Sequence, residues 1–502
     1  MPDSLSSTQQ KFKIILTLLI ILLNTINCRS QNDRQSTKPE NTVRDDIGKL
    51  FIEAVNSSSV DEQKEIIHKI FSEAALKEPG EEKLMGLIDA VKTNLGQAEY
   101  HSSEVAEITM GDGSSRSVMH LFAKSKDSKN WKDLQLILDP DDSGRILKLA
   151  FIAEVTEPVY LPNGSIEQSQ TLEWLNNYVN RLQNKDSFYG SILIAKGSDI
   201  IFEKYAGYSN PETGTVFDNN TLFNMASGGK MFTAIAIAQL AEKGQIKLSD
   251  KVETYFPDFA DKNKLNKVTI HHLLNHSSGI AEYWTINNTE AISEFTQTKE
   301  YLPLIYEAGF SFEPESEFGY SNSNYILLGL LVEKVSGQSF YDYVRQNIFL
   351  TAGMESTDYY TYGTAGIPLA IPLDRKENIW AETKHGIKGS PAGGCYSTNA
   401  DMLKYSQSLK SNKLISAGML SEITKEKTSG LKDATGYGYG FELYKYGREG
   451  ISYGHGGMAG GVNFEYRYFP EFDITLIISC NQNNGAFDDL KKNAVKLITG
   501  DR

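Results

Sequence analysis

The sequence predicts an α+β protein in two parts, a small domain over residues 44–156 and a larger one over 170–502. Three observations predict this. Helical patterns at 59–71 and 84–95 precede four strand-like runs, the order of a small α+β unit. Strand-like runs stand at both ends of the larger region, so a single sheet is built from its two termini and covered by terminal helices. Between them, residues 223–440 alternate apolar helical runs with long loops.

The elements follow in order. Residues 1–28 read as an export signal: Lys11 and Lys13 precede an apolar run over 14–23 that is too short to span a bilayer. Cys28 follows Asn27, and cleavage before Cys28 with lipid attachment would tie the chain to a membrane. Residues 29–43 are polar and read as an unstructured linker. Ser59 and Glu62 then form a capping box before Ile66, Ile67, Ile70 and Phe71, and Gly96 stops a second helix. Strands are expected near 105–110, 118–123, 134–138 and 146–152, with a turn at 139–144. This unit faintly resembles nuclear-transport-factor-2-like cones. Residues 157–169 are a linker. A helix at 171–182 and a hairpin over 189–205 open the larger domain; strands at 462–469 and 474–480 and a helix at 487–498 close it.

Composition narrows the function. The chain has 502 residues and a formal net charge of −14. Lys and Arg are scattered without a basic stripe, which gives nucleic-acid binding no support. No cofactor or metal motif stands out. His272 and His276 have a chelating spacing, but Leu273 stands where a zinc hydrolase carries its Glu, so both read as structural. Cys395 and Cys480 read either as a pair or as two buried thiols.

Three motifs carry chemistry. Ser227 and Lys230 lie three residues apart where an apolar helix begins, so hydroxyl and amine share one face. A serine needs a neighbouring base to become a nucleophile. A second copy of the pattern, Ser429-Gly430-Leu431-Lys432, lacks helical periodicity and reads as a solvated loop. Tyr320-Ser321-Asn322 precedes another apolar helix, and a second such triplet, Tyr208-Ser209-Asn210, reads as a turn. His455-Gly456-Gly457 follows a short strand-like piece at 450–453. Gly450-Ile451-Ser452-Tyr453-Gly454 fits a nucleophile elbow, but no histidine follows at the distance an α/β-hydrolase needs.

With Leu273-Leu274-Asn275-His276-Ser277-Ser278-Gly279 and Ser390-Pro391-Ala392-Gly393-Gly394-Cys395 around them, the motifs resemble the serine hydrolase family of class C β-lactamases, D-alanyl-D-alanine carboxypeptidases and related esterases. The resemblance runs over roughly residues 170–500. It implies a β-lactamase/transpeptidase-like fold, an antiparallel sheet between helices beside a helical subdomain. It implies an acyl-enzyme on Ser227, with Lys230 or Tyr320 as the first base. Asn322, His455, Gly456 and Gly457 would contact substrate, and the backbone N–H groups of Ser227 and Met458 would form the oxyanion hole. The usual Lys-Thr-Gly is replaced by His455-Gly456-Gly457, which removes a fixed cation and a hydroxyl. Glu315 stands where the family has Gly. The expected function is an exported, periplasmic or cell-envelope hydrolase of small amides, peptides or esters, with D-amino-acid wall peptides foremost. A carboxylesterase, a β-lactamase and a non-turnover acylated sensor are the alternatives. Tyr437, Tyr439 and Phe441 read as core ahead of pocket lining.

Overall fold

The computed structural model describes residues 38–500 apart from 110–114, 129, 143, 156–160, 163, 260, 286–289, 362, 375–378, 381–387, 429–435, 448–449 and 483–484. The signal segment with Cys28, the second copy of the serine–lysine pattern at 429–432 and residues 157–160 and 163 of the linker lie outside these residues. The chain divides into two compact units, Met1–Tyr160 and Leu161–Arg502.

In the first unit, helices α1 (Lys38–Asn56), α2 (Val60–Ile70) and α3 (Glu81–Leu95) precede strands β1 (Ala98–Thr109), β2 (Ser115–Ser125), β3 (Trp131–Leu138) and β4 (Ile146–Val155). The strands form an antiparallel meander in chain order. Helix α1 begins inside the stretch expected to be an unstructured linker. Pro39 sits in its first turn, where a missing N–H breaks no helical bond. The Ser59 hydroxyl caps α2 through the Glu62 N–H. The Glu62 carboxylate binds the Ser57 hydroxyl instead of closing the expected box. Phe51, Ile67, Phe71, Ile88, Leu121, Leu134 and Ile146 share one buried cluster between helices and sheet.

The second unit opens with α4 (Ser169–Asn184) and the hairpin β5 (Gly190–Lys196) and β6 (Asp199–Ala206). Helices α5 (Lys230–Glu242), α6 (Asn322–Ser336) and α7 (Asn399–Lys410) follow. Strands β7 (Gly436–Tyr437), β8 (Glu442–Tyr446), β9 (Gly450–Ala459), β10 (Val462–Phe469) and β11 (Ile474–Cys480) and helix α8 (Gly485–Thr499) complete it. The sheet order is β7-β8-β9-β10-β11-β5-β6, antiparallel throughout. Ile477 of β11 stands opposite Leu193 of β5, so strands from both ends of the unit pair directly.

Helix α5 is buried from Lys230 to Leu240 and α6 from Asn322 to Val332. A helix apolar on nearly every side has no solvent face and belongs in the interior. Both pack in the main core with Phe464, Tyr466 and Ile477 of the sheet. Strand β9 is longer than its residues suggest. Gly454, Gly456 and Gly457 weaken strand propensity, yet pairing of His455 with Tyr466 and of Met458 with Asn463 carries the ladder through them. Cys395 and Cys480 are both buried and unpaired with each other. Tyr437, Tyr439 and Phe441 are buried. No helix among the described residues is long and apolar enough to cross a membrane.

Candidate active site

Ser227 lies in a 3-10 turn, Ala226–Gly229, that runs into α5. In a 3-10 turn residues i and i+3 eclipse, which brings Ser227 and Lys230 together more directly than an α-helical turn would. The turn is built under constraint. Ala226 has φ +43°, a left-handed conformation that costs a non-glycine residue about 1–2 kcal/mol. Three hydrogen bonds hold it: Ala226 N–H to Asn224 Oδ1 at 2.8 Å, Met225 N–H to Cys395 O at 2.8 Å, and Gly394 N–H to Ala226 O at 3.0 Å. Strained backbone of this kind persists where its surroundings over-determine it.

Lys230 is completely buried. Its Nζ lies 3.1 Å from Ser227 Oγ, 2.6 Å from Asn322 Oδ1 and 2.6 Å from Ala392 O. As an ammonium it donates to all three. As a neutral amine it keeps two N–H donors for the two carbonyl oxygens, and its lone pair is left for the Ser227 hydroxyl. The site therefore satisfies both protonation states without rearrangement. Burial pushes the Lys230 amine down to about 7, while the carboxylates of Glu282 and Glu442 draw it up.

Tyr320 shares a hydrogen bond with Ser227. The residue is half-buried, and burial holds the phenol well above its usual range. The Ser227 contact lowers it only in part, and Glu442, Tyr325 and Glu282 raise it further. Tyr320 is thus a neutral phenol at physiological pH. Lys230 Nζ lies over its ring, 4.8 Å from the centroid.

Asn322 opens α6 and is oriented by a residue that no motif marks. Glu282 Oε2 accepts the Asn322 backbone N–H at 2.7 Å and its Nδ2–H at 2.9 Å. With the amide nitrogen committed to Glu282, Oδ1 faces Lys230. Glu282 is half-buried, and burial raises its carboxyl despite the Asn322 bonds and the Lys230 charge. A second acid, Glu442 on β8, lies on the sheet side. Burial pushes it up, but His455, the Tyr444 hydroxyl, the Gly456 N–H and Arg467 together hold it below the ordinary range.

The third motif divides. His455 is 1% exposed. Its Nδ1–H donates to Gly456 O, and its Nε2 accepts the Tyr437 hydroxyl at 3.1 Å. Burial depresses its pKa, so the ring is neutral and faces inward. Strand β9 turns the His455 side chain toward Tyr437 and toward Tyr320, whose ring centroid is 6.4 Å away. Gly456 faces Glu442 and Glu465, and its N–H donates to Glu442 at 2.9 Å. Gly457 borders the turn that carries Ser227. A Cβ there would stand 2.1 Å from Met225 O and 3.1 Å from Ser227 N. Met458, next along β9, is 77% exposed at the rim.

The rival sites fall apart. Ser452 is buried in mid-strand and donates to Tyr444 O at 3.3 Å. His272 accepts the Thr269 N–H and pairs with Glu315 at 2.8 Å, whereas His276 packs on Tyr320. No group of three or more metal-ligating side chains occurs among the described residues. Glu315, at φ +68°, takes the left-handed backbone that a glycine would suit and binds His272.

A family model described as Beta-lactamase matches residues 176–501. Penicillin-binding protein 4* of Bacillus subtilis (strain 168) is 29% identical over 338 residues, 63% of this chain and 73% of its own. The D-aminopeptidase of Brucella anthropi is 23% identical over 61% of this chain and 58% of its own. The crystal structure of a penicillin binding protein from Bacillus halodurans superposes with a TM-score of 0.58 at 30% identity, covering 63% of this chain and 98% of that one. An antiparallel sheet flanked by helices, with a serine and a buried lysine at the start of a central helix, defines a serine hydrolase. The chain belongs to the beta-lactamase family.

Proposed function

We propose that this enzyme cleaves small amide, peptide or ester bonds through an acyl-enzyme on Ser227, with Lys230 as the first base. The observation that carries this reading is the three-partner setting of the buried Lys230 amine. Ser227 passes its proton to Nζ as Oγ attacks the acyl carbon. The backbone N–H groups of Ser227 and Met458 hold the developing oxyanion. The neutral Tyr320 phenol hands its proton to the leaving group and is reprotonated from the Lys230 ammonium. Water then releases the acyl group by the same route in reverse.

A D-amino-acid peptide or amide is the leading substrate, supported by relatives named for penicillin binding and D-aminopeptidase activity. Glu282 adds support: it has no direct ion-pair partner among the described residues, and a carboxylate beside Asn322 favours an acyl group bearing a free ammonium. A neutral, buried His455 supplies no cation for a substrate carboxylate, which disfavours efficient β-lactam hydrolysis. Export and attachment through Cys28 belong to the same proposal.

A substrate panel tests this reading. D-amino-acid amides with a free amine are expected to exceed their N-acetylated forms in kcat/KM, with p-nitrophenyl esters turned over and a chromogenic cephalosporin nearly inert. Labelling by a fluorophosphonate is expected to vanish in Ser227→Ala. Full activity in Ser227→Ala, or acylation without turnover on every substrate, would reject it, the latter in favour of a sensor.

Glu282 also sets a pH dependence. Its carboxylate favours the Lys230 ammonium, so removing the charge lets the amine lose its proton at lower pH. Glu282→Gln is expected to move the acid limb of the kcat/KM profile from near 7 to lower pH. A limb that stays or rises would show that Lys230 does not govern it.

A further inference from the structure

His276 lies in the loop after the short helix Ile270–Leu274 and is fully buried. Its backbone adopts φ +61°, which is uncommon for a residue with a side chain. From that kink it reaches both sides of one residue. The His276 carbonyl accepts the N–H of Gly319 at 2.9 Å, just before Tyr320. Its Nδ1 accepts the N–H of Ser321 at 3.1 Å, just after Tyr320. The imidazole lies against the Tyr320 ring, with centroids 4.3 Å apart and planes at 31°.

Because Nδ1 accepts, the ring proton belongs on Nε2, and Nε2 has no hydrogen-bond partner among the described residues. The rings of Phe318, Tyr325 and Tyr437 enclose the imidazole at 5.9, 5.1 and 4.9 Å. A phenylalanine would fill this aromatic cage without leaving a buried donor orphaned. What histidine adds is an acceptor for the Ser321 N–H and, at 3.4 Å, for the Asn324 side-chain amide. Tyr320 itself precedes α6 and gains nothing from helical hydrogen bonds, so its orientation depends on what brackets it.

We propose that His276 is the positioning residue for Tyr320, fixing the phenol at Ser227 by clamping the backbone on both sides and backing the ring. The proposal rests on the reading of Tyr320 as proton carrier. Its substitution therefore acts on kcat through hydroxyl placement, where an error of about 1 Å costs roughly 100-fold.

The test compares His276→Phe and His276→Asn, each alone and beside Tyr320→Phe, with active sites titrated by a fluorophosphonate and turnover read on a p-nitrophenyl ester. His276→Phe is expected to lose roughly 30–100-fold in kcat per titrated site, with KM within about twofold. His276→Asn, which tolerates the same backbone and can accept the Ser321 N–H, is expected to lose only about 3–10-fold. Both losses are expected to vanish beside Tyr320→Phe, because residues acting as one unit are not additive. An unchanged kcat per titrated site, or losses that multiply in the double variants, would overturn the proposal. If His276→Phe does not fold, the His276→Asn pair decides by the same criterion. Activity surviving in Ser227→Ala would instead remove the acyl-enzyme reading, a separate result.

Discussion

Lys230→Met is expected to lower kcat/KM by roughly 10⁴-fold on any ester or amide the enzyme accepts, while the melting temperature moves little. The activity loss follows from the Nζ position, 3.1 Å from Ser227 Oγ with no second amine in contact among the described residues. The stability result follows from two opposed quantities. Depressing the amine from 10.5 to about 7 corresponds to about 5 kcal/mol of unfavourable burial of the charged form. Methionine removes that cost but orphans Asn322 Oδ1 and Ala392 O, at about 1–3 kcal/mol each. The two nearly cancel.

The same depression gives the wild-type enzyme a pH signature. Between about 7 and 10.5 the unfolded chain binds more protons at Lys230 than the native one, so this group makes the protein more stable as pH rises through that window. Below it both states are protonated, and the native state carries the full burial cost. Lys230→Met is expected to flatten this rise in a denaturant titration. A steep loss of stability at every pH, or a rise as large as in wild type, would show that the amine is not buried as described.

Much of this site is legible in the chain because its parts are local. Ser227 and Lys230 need only one turn between them, and Tyr320 and Asn322 need only the start of α6. The sheet is legible because β5 and β11 are mainly apolar runs and β10 alternates apolar residues with Asn463, Glu465 and Arg467. What escapes is created by packing between distant segments. Glu282 and Glu442 charge the lysine from loops and strands far apart in sequence. Neither belongs to a motif; the available hints are a lone acid after Gly279-Ile280-Ala281 and another inside the apolar Phe441–Leu443 stretch. His276 looks like one more loop histidine until its two backbone partners on either side of Tyr320 are known. The inward turn of His455 is hidden for a related reason: alternation along β9 assigns faces only once the strand is known to continue through its glycines.

That alternation makes adjacent glycines unequal. Gly457→Ala is expected to cost roughly 10²–10³-fold in kcat, comparable to losing an oxyanion-hole donor, and to lower the melting temperature by several degrees. Its Cβ would stand 2.1 Å from Met225 O and 3.1 Å from Met225 C, both backbone atoms of the turn that carries Ser227. Neither can give way, since Met225 N–H is bonded to Cys395 O and the following Ala226 is already left-handed. Strand β9 must therefore retreat and carry the Met458 N–H away from Ser227. Gly456→Ala points to the other face, where the new methyl meets the Glu465 and Glu442 carboxylate oxygens at 3.4 and 3.5 Å and the Phe464 carbonyl oxygen at 3.8 Å, all ordinary contacts. A loss within about fivefold is expected there, as for a methyl group meeting its neighbours at ordinary contact distance. Steady-state kinetics with both variants checks the order. Equal losses, or a larger one at Gly456, would mean that β9 presents its opposite face to the nucleophile.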